Sequence, residues 1–297
     1  MPDFSHYGEE AVVARLTTLL EAGPGILTGP GDDCAVVEGG ARGEAELLKT
    51  DCLVCNVHFL PESAPGKVGW KAIARTLSDF AAMGGWPRHL LVTLAVPPGC
   101  EMRWAEQLYR GMNKCARAYD CSIVGGETSS VPPGAPVMIS VAGTGTARRS
   151  QVVLRSGGRP GDLLFVTGRL GGSLRGRHLT FTPRLLEANW LVRNFTLHAM
   201  MDLSDGLARD LPRLAAASGC GFLLEQDSLP RSRGVTVEQA LCDGEDYELL
   251  LAVSARTAKR LVREWRGQFP ELPLSLIGSL TADQQSGLSG GWDHFEG

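Results

Sequence analysis

The chain has 297 residues, of which 43% are hydrophobic, and carries a net charge of −4 at pH 7. That length admits two domains with cores of their own, and the composition excludes a disordered chain. The acidic balance, with no basic stripe interleaved with aromatics, argues against a nucleic-acid partner. No apolar run reaches the length of a membrane span, and Glu9, Glu10 and Arg15 interrupt the place of a signal-peptide core. The expectation is a soluble cytoplasmic protein with no membrane partner.

Helical periodicity predicts a first helix over residues 8–22, with Val12, Val13, Leu16, Leu19 and Leu20 on one side. A Gly- and Pro-rich loop then leads to residues 29–37, where Asp32 and Asp33 stand at the mouth of a short apolar strand. Such a pair either chelates a hard cation or forms a polar turn. Residues 47–59 read as a strand in which Thr50 and Asp51 offer oxygen ligands and His58 a ring nitrogen. Cys52 and Cys55 form a Cys-x-x-Cys without a second pair at zinc-finger spacing, so the eight dispersed cysteines are read as buried free thiols.

Residues 69–87 read as a helix, with Trp70, Ile73, Leu77 and Phe80 at helical spacing and Gly84, Gly85 and Pro87 as the stop signal. Asp79 is its only acid, set among Ala72, Thr76, Ala81, Ala82 and Met83, which leave almost no polar face. A carboxylate there needs either a metal ion or a protein partner. Residues 90–96 form an almost continuous apolar run, typical of a strand buried on both faces. An amphipathic helix over 101–119 follows, and then a strand from Ser122 into Gly125, Gly126 and Glu127, where paired glycines let a backbone approach a phosphate. A strand over 137–147 ends the first half, and the turn-dense stretch after Arg148 places a domain boundary near 148.

The second half reads strand (163–167), helix, strand. Asp202, Ser204 and Asp205 cluster at a strand end and open a helix that ends near Ser218; an N-cap accounts for one of the three. A further acidic cluster, residues 243–248, precedes an apolar strand, followed by a helix over 254–267 and a strand over 274–277. The tail ends in Gly291-Trp-Asp-His-Phe295, too aromatic for an inert linker.

Taken together, Asp33, Asp51, Asp79, Glu127, Asp202 and Asp205 recur at strand ends, helix starts and inside an apolar helix, the places where α/β folds gather ligands. Oxygen ligands favour Mg²⁺, and Mg²⁺ held by few carboxylates partners substrate phosphates, which points to a nucleotide. The standard phosphate loops are absent, and the Gly-x-Ser-x-Gly at 287–291 lacks the strand and helix that such a motif requires.

Gly31-Asp-Asp-Cys-Ala35, Thr50-Asp51 with His58-Phe59, Leu77-Ser-Asp-Phe-Ala-Ala-Met-Gly84, Gly125-Gly-Glu-Thr128, Arg155-Ser-Gly with Pro160-Gly-Asp162, Asp202-Leu-Ser-Asp-Gly206, Gly244-Glu-Asp-Tyr-Glu-Leu249 and Trp292-Asp-His-Phe295 follow one another in the order of a known family. In these segments the chain resembles the thiamine-monophosphate kinase family, of the superfamily that includes aminoimidazole ribonucleotide synthetase. The resemblance implies an α/β fold of α+β type, with two domains of mixed sheets packed with helices. Residues 1–148 would form a dimerisation and Mg/ATP-binding domain, and residues 149–297 would complete an active-site cleft. It implies a homodimer that transfers the γ-phosphoryl group of ATP to thiamine monophosphate, with Mg²⁺ ions held by Asp33, Thr50, Asp51, Asp79, Glu127, Asp202 and Asp205. ATP would meet Gly126, Glu127, Arg155 and Ser204, and the thiamine phosphate His58, Glu245 and Trp292. Neither a covalent intermediate nor a general base is demanded, because positioning and charge neutralisation carry phosphoryl transfer and the acceptor is already anionic.

Four departures stand out: Glu127 where the family usually has Asp, Lys49 where it has Ser or Thr, Asp243 in place of a glycine, and a short segment from Gly172 to Pro183. The alternatives are another ATP-dependent enzyme of the superfamily, such as a purine-pathway or selenophosphate synthetase, and a non-catalytic nucleotide- or metal-binding relative. A selenophosphate synthetase would need a reactive cysteine in a glycine-rich N-terminal segment, whereas the first cysteine is Cys34, inside the acidic turn.

Overall fold

The computed structural model describes residues 4–21, 23–283 and 287–295, with side chains from residue 8 onward. In chain order its elements are α1 (Phe4–Thr17), β1 (Ile26–Thr28), β2 (Ala35–Glu38), β3 (Glu44–Val54), α2 (Pro65–Ala82), β4 (Trp86–Val96), α3 (Met102–Ala118), β5 (Ser122–Ser130) and β6 (Met138–Arg148). There follow β7 (Leu163–Thr167), α4 (Leu185–Asn194), β8 (Ala199–Asp202), α5 (Leu207–Ala217), β9 (Gly221–Leu224), α6 (Val237–Cys242), β10 (Leu249–Val253), α7 (Ala255–Gln268) and β11 (Leu274–Thr281). The chain divides into two compact units, one of residues 36–152 and 176–194, the other of 1–35, 153–175 and 195–297.

In the first of these units the strands run β2-β3-β6-β4-β5. β3 pairs antiparallel with β6 in unbroken register from Glu44↔Arg148 to Val54↔Met138. β4 pairs antiparallel with β6 and parallel with β5, so this sheet is mixed. The inner face carries α2, whose Phe80 ring lies where a Cβ on Gly143 or Gly145 would stand, 2.8–3.3 Å away. Glycine at those two positions lets the helix sit down on the sheet, and it fixes Asp79 one residue before the contact. β4 is not buried on both faces as its apolar run predicts: Leu90, Val92 and Leu94 are buried, while Leu91 is 50% exposed. The period-2 pattern of a half-buried strand is therefore present, with a leucine on its outer side.

The second unit is built on a five-stranded sheet, β8-β10-β7-β11-β9, in which each neighbouring pair is antiparallel. Its core joins Leu164, Val166, Met201, Leu250 and Ile277 of the sheet to Leu207, Leu211 and Leu214 of α5. α1 ends at Thr17, short of residue 22, and the hydroxyls of Thr17 and Thr18 turn back onto the carbonyls of Val13, Ala14 and Arg15. Its predicted apolar side is not covered: Val12 is buried, but Val13, Leu16, Leu19 and Leu20 are exposed. The segment 172–183 contains two short 3-10 turns, Ser173–Arg175 and Arg177–Leu179.

Candidate active site

In the unit of residues 36–152 and 176–194, the acids gather where β3 meets α2. Lys71, Arg75 and Asp79 recur every fourth residue and so share one side of α2. The helix thus has the polar seam that its apolar neighbours conceal in the sequence. Lys71 is fully buried; its Nζ donates to the His58 carbonyl at 2.6 Å and lies 2.9 Å from His178 Nδ1. Arg75 donates to the Cys52 carbonyl and holds its Nη2 3.8 Å from Asp51 Oδ1. Lys49 Nζ donates to Asp79 Oδ1 at 2.8 Å and stands 3.9 Å from Asp51 Oδ1. Burial pushes the Asp51 carboxyl up, but the charges of Lys49 and Arg75 outweigh it and hold the group below its ordinary value. Asp51 Oδ2 is buried without a hydrogen-bond partner.

Asp51 and Asp79 are therefore brought together, and the other expected contacts of this unit lie elsewhere. Strand alternation turns Thr50 to the opposite face of β3 from Asp51, with its Oγ1 3.5 Å from Ser140 Oγ. Glu127 lies on the exposed strand β5 opposite Thr93 and accepts a hydrogen bond from Ser129 Oγ. The glycine pair sits inside this strand and not in a loop: a Cβ on Gly126 would come within 1.9 Å of the Val92 carbonyl oxygen, so β4–β5 pairing itself requires the glycine. His58 Nδ1 accepts from the Val54 amide at 3.0 Å, which orients its ring.

In the other unit, Asp33 is buried and its Oδ1 accepts from Arg155 Nη2 at 2.5 Å. Asp32 accepts from the amides of Asp33 and Arg155 at 2.9 and 3.0 Å. Burial, together with the negative charge of Asp33, pushes the Asp32 carboxyl up to about 6. Burial works against the Arg155 charge, yet Asp33, Asp32 and Asp202 hold the guanidinium charged beyond its ordinary value. Asp202, at the end of β8, and Asp33 each offer an oxygen within 4.8 Å of the other. Asp33 Oδ2 is buried without a hydrogen-bond partner. Three carboxylates against one guanidinium, one oxygen of them orphaned, form a donor set that suits a hard divalent cation.

The turn after β8 does not cap α5 through a side chain. The N-cap is Gly206, at φ 98°, with no side-chain cap bond, so neither Ser204 nor Asp205 is spent on capping. Ser204 instead accepts the Glu245 amide on its carbonyl at 2.6 Å, and Glu245 is held at φ 53°, a conformation that non-glycine residues adopt rarely. Asp205 accepts from Arg213 on its carboxylate and from the Trp292 amide on its carbonyl, at 2.8 Å. Ser204, Asp205, Glu245 and Trp292 are thus assembled on one turn, with the Trp292 indole half exposed.

The rest of the 243–248 cluster is structural. Asp246 accepts the Gly171 amide, and Glu248 accepts from Thr167 Oγ1 at 2.8 Å. The departure Asp243 accepts the Gly172 amide at 2.7 Å and ties down the start of the short segment. Arg75 and Arg213 were not among the expected site residues. For Arg75 a signal was present, its four-residue spacing from Asp79; for Arg213 it was the three-residue spacing from Asp210 on α5, whose carboxylate it meets at 3.1 Å.

Residues 31–147 match the AIR synthase related protein N-terminal domain and residues 166–291 its C-terminal domain. A thiamine-monophosphate kinase of Rhodopirellula baltica is 38% identical over 267 residues, covering 84% of this chain and 83% of that protein. The chain belongs to the thiamine-monophosphate kinase family. A second thiamine-monophosphate kinase, from Bacillus subtilis, is 33% identical, covering 90% of this chain and 93% of the relative. Among solved structures, AaThiL complexed with AMPPCP and TMP superimposes with a TM-score of 0.84 at 30% identity, over 99% of both chains. Two-domain architecture and membership of the kinase family therefore agree with the expectations drawn from the motifs.

Proposed function

We propose that this thiamine-monophosphate kinase family member transfers the γ-phosphoryl group of ATP to the phosphate of thiamine monophosphate, giving thiamine diphosphate and ADP. The observation that carries this reading is the match over essentially the whole chain to AaThiL, a relative complexed with an ATP analogue and TMP. Both substrates are polyanions, and the acids described above would repel them unless cations intervene. Mg²⁺ held by Asp33, Asp51, Asp79, Glu127, Asp202 and Asp205 would supply that neutralisation, whereas Thr50, on the other face of β3, is left out of the set. The buried, unpartnered oxygens of Asp33 and Asp51 support the assignment for those two residues.

Arg155, pinned by Asp33 and by the amide contact to Asp32, is oriented to meet nucleotide phosphate; Gly126, Glu127 and Ser204 complete the ATP contacts. Glu245 and the half-exposed Trp292 are assigned to the thiamine end, where an indole can stack on the cationic thiazolium, and His58 to its phosphate. We also assign the enzyme to a homodimer: Leu48, Leu91, Val124 and Met138 are exposed apolar residues on the strands β3, β4, β5 and β6. Leu48, Leu91 and Val124 line a depression of about 420 Å³ with Thr50, Ala142 and Thr144. A reducing cytoplasm suits the eight cysteines, all of them free thiols.

The purified chain with Mg-ATP is expected to convert thiamine monophosphate to the diphosphate, followed by chromatography of the thiamine esters. Asp79→Asn should lower turnover by roughly 100-fold or more while leaving the unfolding midpoint near wild type. Full turnover in that variant would remove Asp79 from the chemistry, and turnover confined to another phosphorylated acceptor would overturn the substrate assignment.

A further inference from the structure

Lys49 is a cation placed directly between two carboxylates of the β3–α2 cluster that are assigned to metal. Its ammonium donates to Asp79 Oδ1 at 2.8 Å and lies 3.9 Å from Asp51 Oδ1, so one cationic head serves two carboxylates assigned to divalent metal. The lysine head is partly shielded, 22% exposed, and the two acids are 15% and 10% exposed. In such surroundings an ammonium hydrogen-bonded to a carboxylate oxygen is a strong, short-range neutraliser. It also occupies the space that an ion bound to the same oxygen would need, since Mg²⁺ sits about 2.0–2.1 Å from its oxygen ligands. Arg75, 3.8 Å from Asp51 Oδ1, closes the other side of that carboxylate. Asp51 Oδ2 remains without a hydrogen-bond partner, so one oxygen of the pair is still open to metal.

We infer that Lys49 is a built-in cation that replaces one divalent ion between Asp51 and Asp79, so that this chain loads one metal ion fewer than it would with a small hydroxyl residue at that position. The inference deepens the proposed function, on which it rests for the identity of these acids as metal ligands. Lys49 acts as a positioning residue: tethered to β3, it holds Asp79 and Asp51 in fixed relation whatever the free Mg²⁺ concentration. A serine there would release Asp79 Oδ1 and provide a hydroxyl ligand in place of a charge.

The test counts ions directly. Full-length protein without nucleotide or thiamine ester is titrated with Mn²⁺, and the free ion is read by electron paramagnetic resonance. Lys49→Ser is expected to bind one more Mn²⁺ per chain than wild type, and Lys49→Arg, which keeps the charge, the wild-type number. Lys49→Met retains the aliphatic stem without the charge; should the serine variant fail to fold, it is expected to show the same extra ion. Equal ion counts in wild type and the uncharged variants, or an added ion in Lys49→Arg, would overturn the inference. The reading of the reaction is judged separately by thiamine diphosphate formation in wild type. Product with unchanged ion counts rejects the built-in cation alone, and an added ion without product rejects the proposed acceptor alone.

Discussion

At the scale of single residues, the tail shows how a carboxylate becomes structural. Asp293 accepts the amides of Phe295 at 2.8 Å and of Glu9 at 3.3 Å and pairs with Arg209. Burial raises its carboxyl, but these donors more than compensate and hold it at about 2, against an ordinary value of 3.8. Because the folded value is the lower one, the stabilisation is present above the unfolded value and is lost as pH falls from about 4 towards about 2. Asp293→Asn should cost about 2 kcal/mol in urea unfolding near pH 7, with the gap to wild type narrowing as the pH is lowered through that window. Residues of this kind divide the legible from the illegible. Asp33, Asp51, Asp79 and Asp202 stood out because isolated acids beside apolar runs need a partner, whatever the fold. The pairing of Arg155 with Asp33, or of Asp293 with the Glu9 amide, joins positions far apart in the chain, and no local pattern announces it.

At the scale of elements, glycine sets distances that apolar spacing leaves open. A Cβ on Gly69 of α2 would stand 2.0 Å from the Leu108 carbonyl oxygen, and one on Gly111 of α3 2.0 Å from that of Gly66. The two helices therefore pack backbone to backbone. Gly69→Ala should lower stability by about 3 kcal/mol, the range of an overpacked core, while Gly267→Ala in α7, with nothing within 4 Å of the new methyl, should raise it by about 0.5–1 kcal/mol. Thermal unfolding of the two variants checks both. Helical periodicity found α3 and the body of α2, since burying one stripe is what makes them helices, but α2 begins at Pro65 and ends at Ala82, and the predicted residues 86–87 belong to β4. Periodicity could not show how near the two helices lie, because that depends on which residue of the partner each glycine meets. The same limit misled the reading of β4: an apolar run says that side chains avoid water, not whether this chain or another surface covers them.

At the scale of the whole molecule, the exposed residues on the sheet strands carry the assignment to a homodimer. Leu91→Glu combined with Val124→Glu puts like charges on that face and should convert a sedimenting dimer to a monomer. A wild-type chain that sediments as a monomer at the same concentration would overturn the assignment. The order of motifs along the sequence made two domains legible. What spacing concealed is that one of the two units is assembled from three stretches, including the first 35 residues and the last hundred or so. Its seam is visible at Asp293, whose carboxylate takes the Glu9 amide across 284 positions. During synthesis the strands β2 to β6 all emerge in one continuous stretch and can pair at once, whereas α1 must wait for α5, whose Arg209 and Arg213 meet Glu10, and then for Asp293. The order in which the ribosome delivers the chain thus separates the two units in time: one matures early, and the other closes with the tail.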